Sequence, residues 1–418
     1  MKWASAVSTS VSLETAVKEV VGQVKDQLDR PVDLAFVFVS VAFASEYERL
    51  MPLLQNYLPT TQIVGCSGSG VVGMDDDYPA EIEVGSALSL MAAHLPGVKI
   101  NSFYLTADDL PDLDSPPQAW IDLIGVEPAE RPGFVLMADP FSSGTNELLQ
   151  GLDFAYPEAT KVGGLAGIES FSKYSGLFCG QSRYREGIVG VALSGEIVLE
   201  AIVAQGCRPI GELYRVSEGD RNIMIKLELD ELTSTKMPQT TQTPLEILQT
   251  LFLEMSEEER VLMQNALFIG VAQSGFKANL TRRDFLIRNL VGVNPNNGAI
   301  AVADKIRPGM RVQFHMRDAQ TSQEDLEKML RRYRVERLEN QLAGEQTGCS
   351  PVGALLFSCT GRGEGLYEEP NFDSDLFEKY LGPLPVGGFF CNGEIGPVGG
   401  STFLHGFTSV FGICCKPS

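Results

Sequence analysis

The chain alternates segments of helical period with short apolar segments of strand length. From Leu13 to Leu28, apolar residues recur every three or four positions, which predicts an amphipathic helix. Residues 32–40 follow as a run rich in β-branched and aromatic side chains, which is typical of a buried strand. The same alternation continues to Ile413, so the pattern predicts an α/β fold.

Three stretches place a strand, a helix and a glycine-rich segment at similar spacing. They run from Ala35 to Gly65, from Phe134 to Gly163 and from Ala354 to Gly387. Apolar strands follow each glycine segment, and residues 187–193 and 198–204 are expected to form a hairpin. We therefore predict an internal duplication of a β-α-β-β-β unit over residues 35–105 and 134–204, with the glycines in turns at strand ends.

The predicted fold class is α/β, in which repeated β-α-β-β-β units form mixed sheets layered with helices. At 418 residues the chain is too long for one ordinary core. Two short helices with capping boxes, which begin after Thr243 and Ser256, separate the halves. We therefore predict two domains, residues 1–230 and 231–418.

Composition excludes several classes of function. The chain has 54 acidic and 33 basic residues, and its net charge of −21 disfavours nucleic acid and anionic membranes as partners. Its eight cysteines lack a C-x-x-C spacing and its three histidines lie far apart, so neither a metal site nor a cofactor is predicted. The N-terminus lacks the apolar segment of a signal peptide, so we expect a cytoplasmic protein with free thiols.

Five glycine-rich motifs together resemble FIST-domain proteins. They are Val64-Gly-Cys-Ser-Gly68, Gly163-Gly164, Gln205-Gly-Cys-Arg-Pro-Ile-Gly211, Arg288-Asn-Leu-Val-Gly-Val293 and Gly388-Phe-Phe-Cys-Asn-Gly-Glu-Ile-Gly-Pro397. The resemblance covers about Leu34 to Ile413 and implies an N-terminal and a C-terminal FIST domain. It also implies a sensory module of intracellular signal transduction, with small molecules such as amino acids as ligands. About thirty residues precede the first domain and almost none follow the last, so we expect a separate output protein as partner.

The segment Cys391-Asn392-Gly-Glu394 is the main candidate for the ligand site. The Asn392 amide and the Glu394 carboxylate suit the carboxylate and the ammonium of an amino acid. Alternatively, Asn392 occupies a turn and Glu394 caps local backbone. Arg208 and Arg288 lie inside apolar motifs, where each could clamp a ligand carboxylate or pair with an acidic group between the domains.

Cys66, Ser67, Gly164 and His405 complete the candidate ligand site. Cys66 or Cys391 as a nucleophile would indicate the alternative function, a cysteine-dependent acyl-transfer or amidohydrolase-like enzyme. No histidine lies near Cys66 in sequence to activate it, so a buried structural thiol is favoured and no catalytic residue is predicted. An interaction scaffold without a pocket is the third alternative. The predicted function is a non-catalytic sensor of a small polar metabolite.

Overall fold

The computed structural model describes residues 1–60, 62–168, 175–230, 241–277, 279–342 and 349–417. The α-helices of these residues are α1 (Leu13–Leu28), α2 (Tyr47–Tyr57), α3 (Pro117–Ile124), α4 (Thr145–Ala155), α5 (Pro244–Glu254), α6 (Glu257–Asn265), α7 (Ala319–Leu342), α8 (Glu364–Tyr367) and α9 (Phe372–Leu381). The strands that begin before residue 200 are β1 (Lys2–Ser8), β2 (Leu34–Ser40), β3 (Ile63–Gly68), β4 (Val71–Asp75), β5 (Tyr78–Ile82), β6 (Leu88–His94), β7 (Val98–Leu105), β8 (Gly133–Ala138), β9 (Lys161–Leu165), β10 (Leu177–Cys179), β11 (Ser182–Tyr184), β12 (Ile188–Gly195) and β13 (Val198–Ala204). The later strands are β14 (Cys207–Asp220), β15 (Ile223–Leu229), β16 (Leu267–Ala272), β17 (Phe285–Val293), β18 (Ile300–Val302), β19 (Arg311–Arg317), β20 (Cys349–Cys359), β21 (Val386–Cys391), β22 (Glu394–Val398), β23 (Ser401–His405) and β24 (Ser409–Pro417).

These elements form two compact units, and the predicted mixed α/β fold class is confirmed. One, the three-sheet unit, comprises Met1–Ala204 and Leu326–Ser418, and the other, the barrel unit, comprises Gln205–Asp325. The three-sheet unit therefore takes residues from both predicted domains. The predicted boundary at residue 231 lies outside the described residues.

The three six-stranded sheets of the first unit share one strand order. They read β1-β6-β2-β3-β10-β11, β7-β12-β8-β9-β22-β23 and β13-β24-β20-β21-β4-β5. In each sheet the third and fourth strands are parallel and the second runs antiparallel to the third. The last two strands of each sheet form a hairpin. In the sequence, this hairpin follows the parallel strand pair of one of the other two sheets.

Both faces of these sheets are buried, which explains why their central strands read as nearly continuous apolar runs. Phe36 and Phe38 of β2 point into a core shared by all three sheets, together with Val135 of β8 and Phe357 of β20. On the opposite faces, α1 and α2 cover the first sheet, α3 and α4 the second, and α7 and α9 the third. Helix α1 coincides with its prediction and is capped by Ser12, whose side chain accepts a hydrogen bond from the Thr15 amide.

The prediction that the glycine segments form turns is wrong, because Gly65, Gly163 and Gly388 lie inside β3, β9 and β21. Each is paired with a residue of a parallel neighbour, Val37, Leu136 and Leu356 respectively. A Cβ at these positions would lie 1.9, 1.8 and 1.9 Å from the carbonyl oxygen of that neighbour. Glycine is therefore needed for close approach of two strands, and not for a turn.

The predicted hairpin of residues 187–193 and 198–204 is also wrong. Strand β12 pairs with β7 and β8, whereas β13 pairs with β24 in another sheet. Gly195, with φ +89°, lies where the chain leaves one sheet for the next. Strands β6 and β7 are divided between two sheets in the same way.

The barrel unit is a closed barrel with the strand order β14-β15-β18-β17-β16-β19. Its core contains apolar side chains from every strand, among them Ile269 and Phe314. Arg311 and Asp230 are fully buried and form a bidentate ion pair with N–O distances of 2.8 and 3.2 Å. The barrel stands outside the repeated strand order and was not predicted.

Candidate functional site

Strands β3, β9 and β21 end at one junction. There, each strand forms a backbone hydrogen bond with the segment that follows one of the other two strands. The backbone hydrogen bonds are Ser67 N to Gly176 O at 2.7 Å, Leu165 N to Gly393 O at 2.8 Å and Phe390 N to Gly70 O at 3.0 Å. The carboxyl ends of parallel strands are the usual ligand-binding edge of an α/β sheet. The junction therefore places three such edges side by side.

Glu394 begins β22 at this junction and is fully buried. The Thr408 amide donates to its Oε2 at 2.9 Å, and the Cys391 thiol donates to its Oε1 at 3.5 Å. Burial raises the pKa of Glu394 to about 8. At neutral pH its carboxyl is therefore mostly protonated, unlike the charged acceptor that the sequence led us to expect.

Arg362 and Asp373 form a buried ion pair, and the positive charge of Arg362 acts on Glu394. The Arg362 guanidinium donates from Nε and Nη2 to the two Asp373 carboxylate oxygens at 2.8 and 2.9 Å, and both side chains are fully buried. The Ser358 hydroxyl donates to the same carboxylate at 3.0 Å. Arg362 follows β20 and Asp373 lies in the first turn of α9, so the pair joins the strand end to the helix.

Glu81 reaches the same region from β5. The Ser374 amide donates to its Oε1 at 2.7 Å, while its buried Oε2 has no hydrogen-bond partner among the described residues. Burial, with the Asp373 carboxylate adding to it, raises the pKa of Glu81 to about 8. Arg362 Nη1 is likewise buried without a partner in the part of the chain that the structure describes.

We call Glu81, Arg362, Asp373 and Glu394 the buried polar network. It holds three carboxyls and one guanidinium, and the guanidinium is paired with Asp373. The positive charge of Arg362 also acts on Glu394 and partly offsets the effect of burial on the pKa of that carboxyl. Neutral carboxyls at Glu81 and Glu394 can donate hydrogen bonds, or they can ionise beside an added cation. Clusters of buried groups with displaced pKa values are frequent at functional sites.

Two further predicted site residues, Ser67 and Gly164, contact the junction. The Ser67 hydroxyl donates to Gly167 O at 2.6 Å and accepts from the Gly176 amide at 2.9 Å. Gly164 is paired with Glu394 across β9 and β22, and a Cβ there would lie 2.9 Å from the Cys391 Sγ. Gly164 therefore makes room for the Cys391 thiol.

The thiols of Cys66 and Cys391 are both fully buried. Burial raises the pKa of Cys66 well above its usual value, and burial together with the Glu394 carboxyl does the same for Cys391. Each thiol is therefore protonated at neutral pH, which disfavours a nucleophilic role. His405 is paired with Glu394 across β22 and β23, and its ring Nε2 lies 3.0 Å from Gly396 O.

The remaining predicted residues, Arg208, Arg288 and Asn392, are not members of the buried polar network. Arg208 and Arg288 belong to the barrel unit. Arg208 bonds to Asp318 and Glu259, each at 3.1 Å, and Arg288 bonds to Asp304 at 2.7 Å. Asn392 is exposed, and its side-chain oxygen accepts from the Thr360 hydroxyl at 2.7 Å.

Sequence reasoning missed Glu81, Arg362 and Asp373. One local signal was present: Arg362 stands in Thr360-Gly-Arg-Gly363, directly after the apolar strand that ends at Cys359. Arg208 was considered for the same reason, as a basic residue inside an otherwise apolar, glycine-containing motif. Glu81 and Asp373 each stand two positions from another acid, Glu83 and Asp375, so neither is conspicuous in the sequence, and only the fold brings them together.

Within the described residues, no helix is long and apolar enough to cross a membrane.

An uncharacterized protein of Mycobacterium tuberculosis is 30% identical over 98% of both chains, and one of Mycobacterium bovis is 28% identical over 98% of this chain and 97% of its own. An F-box/LRR-repeat protein of Arabidopsis thaliana is 21% identical over 98% of this chain and 85% of its own. Among solved structures, cyanuric acid hydrolase from A. caulinodans aligns over 100% of this chain and 99% of its own, with 8% identity and a TM-score of 0.34.

The family comparison covers most of the chain. Residues 33–231 match the FIST N domain, and residues 244–397 match the FIST C domain. Strands β3, β9 and β21 and all four residues of the buried polar network lie within these matched residues. The chain therefore belongs to the FIST family, whose domains are sensory domains of signal transduction.

Proposed function

We propose that this protein is a non-catalytic cytoplasmic sensor that binds an amino acid, or a similar metabolite with an amino group, at the buried polar network. The observation that carries the proposal is the composition of that network, in which three buried carboxyl groups accompany one guanidinium that is already paired with Asp373. Burying ionisable groups destabilises a fold unless they are paired, so such an excess is retained where it serves binding.

Two buried atoms without a hydrogen-bond partner among the described residues, Arg362 Nη1 and Glu81 Oε2, match the two ends of an amino acid. Arg362 Nη1 is a buried donor with no partner among the described residues, and it suits a ligand carboxylate. A ligand ammonium beside Glu394 or Glu81 would stabilise the ionised carboxyl and release its proton. Arg362 thus takes the role that the sequence assigned to Arg208 or Arg288.

Access to the network links binding to a change of shape. Glu394 and Arg362 are buried, whereas Asn392 and its partner Thr360 lie at the surface beside them. A ligand has to separate the segments that follow β20 and β21 in order to enter. Binding then selects an opened state, which is the differential interaction that a sensor needs.

The test is a thermal-shift screen against amino acids, followed by calorimetry of each hit in two buffers of different ionisation enthalpy. A bound ligand raises the melting temperature, and proton release near pH 7 makes the measured enthalpy depend on the buffer. Glu394→Gln should remove the buffer dependence and weaken binding by about 1–3 kcal/mol, whereas Glu14→Gln, on the exposed face of α1, should change neither. Binding that is unaffected by both Glu394→Gln and Glu81→Gln would refute this site.

Asn392 tests the entrance to the site. Asn392→Ala should weaken binding of the same hit by roughly 1–3 kcal/mol and leave the melting temperature of the free protein unchanged, because the side chain is exposed.

Labelling of native Cys66 or Cys391 by a thiol probe at neutral pH, blocked by the hit, would instead favour the cysteine-dependent enzyme.

We also propose that the β-α-β-β-β units arose by internal repetition. The shared strand order of the three sheets supports this, as does the same close contact at Gly65, Gly163 and Gly388. The repetition matters for function because it brings the ends of β3, β9 and β21 to one junction.

For the separate output partner, we propose an apolar groove between α5 and α6 of the barrel unit. The groove has a volume of about 520 Å³ and is lined by Leu245, Leu248, Gln249, Phe252, Leu253, Met263, Gln264 and Leu267. Leu253, one of the lining residues, is 75% exposed. The exposed acids Glu254, Glu257 and Glu258 lie at the end of α5 and the start of α6, so the groove fits a basic amphipathic helix of the partner.

This docking surface can be tested with a labelled amphipathic peptide built from leucine and lysine at helical spacing. We expect saturable binding by fluorescence anisotropy that Leu253→Asp abolishes, and that Val335→Asp on α7, a matched exposed apolar position, leaves intact. An acidic peptide with the same apolar face should not bind. Equal binding of the two peptides, or self-association of the chain that Leu253→Asp removes, would refute a basic helical partner.

A further inference from the structure

A cluster of two thiols, a carboxylate and a guanidinium lies in the three-sheet unit, formed by residues outside the buried polar network. Cys349 begins β20, Cys415 lies in β24 and Glu200 lies in β13. The two Sγ atoms and a Glu200 carboxylate oxygen all lie within 4.8 Å of one another. Both thiols donate to Glu200, Cys349 to Oε1 and Cys415 to Oε2, each at 3.3 Å.

Helix α7 supplies a positive charge to this cluster. Arg337 Nη1 lies 3.7 Å from the Cys349 Sγ and 3.9 Å from the Cys415 Sγ, and it is also 3.6 Å from a Glu200 oxygen. Its Nη2 donates to the Cys349 carbonyl. A fixed guanidinium in contact with both sulfurs stabilises a thiolate, and it opposes a metal cation in the same space.

We propose that Cys349 and Cys415 form a redox-sensitive pair that peroxides oxidise to a disulfide. The Cys349 thiolate, its proton accepted by Glu200, attacks one peroxide oxygen and becomes a sulfenic acid, and the other oxygen leaves as hydroxide and takes up a proton to form water. The Cys415 sulfur, also after loss of its proton, then attacks the Cys349 Sγ and displaces hydroxide, which leaves as a second water. Two thiols and one hydrogen peroxide thus give one disulfide and two waters.

The surroundings assign the two steps to different cysteines. Cys349 is partly exposed, whereas Cys415 is buried, so peroxide reaches Cys349 first. A groove of about 370 Å³, lined in part by Glu200, Tyr333 and Arg337, opens beside the cluster. The Cys415 thiol, and Arg337 with it, lowers the pKa of Cys349, whereas the Cys349 thiol and burial raise the pKa of Cys415. Cys349 therefore suits attack on peroxide, and Cys415 suits resolution of the sulfenic acid.

The strand register places both cysteines on one face of the sheet, with their Sγ atoms within 4.8 Å of each other. Strands β20 and β24 are antiparallel, and Cys415 is paired with Pro351, two positions from Cys349. Residues two apart on a strand point to the same face, so the two sulfurs are diagonal neighbours on one surface of the sheet. A disulfide here would lock β20 to β24 and remove both thiol donors from Glu200.

The test is oxidation of the full chain with stoichiometric hydrogen peroxide, followed by peptide mass spectrometry under non-reducing conditions. We expect a Cys349–Cys415 cross-link to form first and to be reversed by dithiothreitol. Cys415→Ser should stop the reaction at a sulfenic acid on Cys349, which dimedone traps, whereas Cys179→Ser should leave the cross-link unchanged. Near-UV circular dichroism checks that each variant is folded.

Arg337 separates this proposal from chance proximity of two thiols. Arg337→Gln should slow cross-linking by about 3- to 10-fold because the thiolate loses its cation. Arg334→Gln, at an exposed position of the same helix, should not slow it. A first disulfide between Cys414 and Cys415, or modification of Cys349 no faster than that of half-buried Cys179, would overturn the proposal.

Discussion

Replacing Glu394 with glutamine removes a buried acid while keeping its shape, so it isolates the effect of that acid on stability. Burial raises the pKa of Glu394 to about 8, against 4.5 for an ordinary glutamate. Between these values the native state holds a proton that the unfolded chain has lost. The stability contributed by this group is therefore fully present below about pH 4.5 and is lost as pH rises toward 8.

The magnitude follows from the same shift. One retained proton changes the free energy of unfolding by about 1.4 kcal/mol per pH unit, so the wild-type protein should lose about 2–3 kcal/mol from this group between pH 5.5 and 7.5. Glutamine resembles the protonated acid and does not titrate. Glu394→Gln should therefore match the wild type near pH 4.5, exceed its stability by about 1–2 kcal/mol at pH 5.5 and exceed it by about 4 kcal/mol at pH 7.5.

Urea unfolding followed by tryptophan fluorescence measures this difference. Trp3 and Trp120, the two tryptophans of the chain, are both buried in the three-sheet unit that contains Glu394. Glu14→Gln on the exposed face of α1 is the control and should keep the wild-type dependence on pH between these two values. An unchanged slope in Glu394→Gln, or a loss above about 2 kcal/mol at pH 5.5, would show that Glu394 is ionised and paired in the native state.

Four other substitutions test the packing. Gly388→Ala should destabilise by more than about 3 kcal/mol, because its Cβ would lie 1.9 Å from the Leu356 carbonyl oxygen, and urea unfolding measures the loss. Gly22→Ala, in α1 with nothing within 4 Å of the new Cβ, should stabilise by about 0.5–1 kcal/mol in the same assay. Leu356→Ala should cost roughly 2–5 kcal/mol, and a loss below about 1 kcal/mol would contradict its buried position. Asp230→Ala leaves Arg311 buried without its carboxylate, so hydrogen exchange of the barrel strands should show a loss of about 3–5 kcal/mol.

Local periodicity was sufficient to predict the elements that carry their own signal. Helix α1 and the capped helices α5 and α6 were predicted because apolar spacing and capping residues are local properties. The spacing of Gly65 and Gly163 also pointed to equivalent positions. Its physical cause, close contact with the parallel strand alongside, depends on tertiary pairing that a sequence pattern does not display.

Strand pairing and buried charge are the parts that local reasoning could not reach. Val198 to Ala204 reads as the second half of a hairpin, yet its partner is the C-terminal strand. Glu81 reads as a solvated acid because it follows the acidic loop Asp75–Asp77 and stands two positions from Glu83. Its burial comes from α9, where the Ser374 amide donates a hydrogen bond to the Glu81 carboxyl. Residues that meet only through the fold leave no mark on hydrophobic periodicity.

The sharing of hairpins among the three sheets has a consequence for how the chain can be divided. A fragment that ends near residue 231, as the FIST N match does, would keep β4, β5 and β13 but lose β20, β21 and β24, with which β4 and β13 pair. It would also lose the hairpin β22–β23 that completes the second sheet. Open strand edges promote aggregation, and pairing between distant segments slows folding. The two family domains therefore both supply strands to the three-sheet unit, and we expect newly made FIST N residues to wait for the C-terminal strands before these sheets can close.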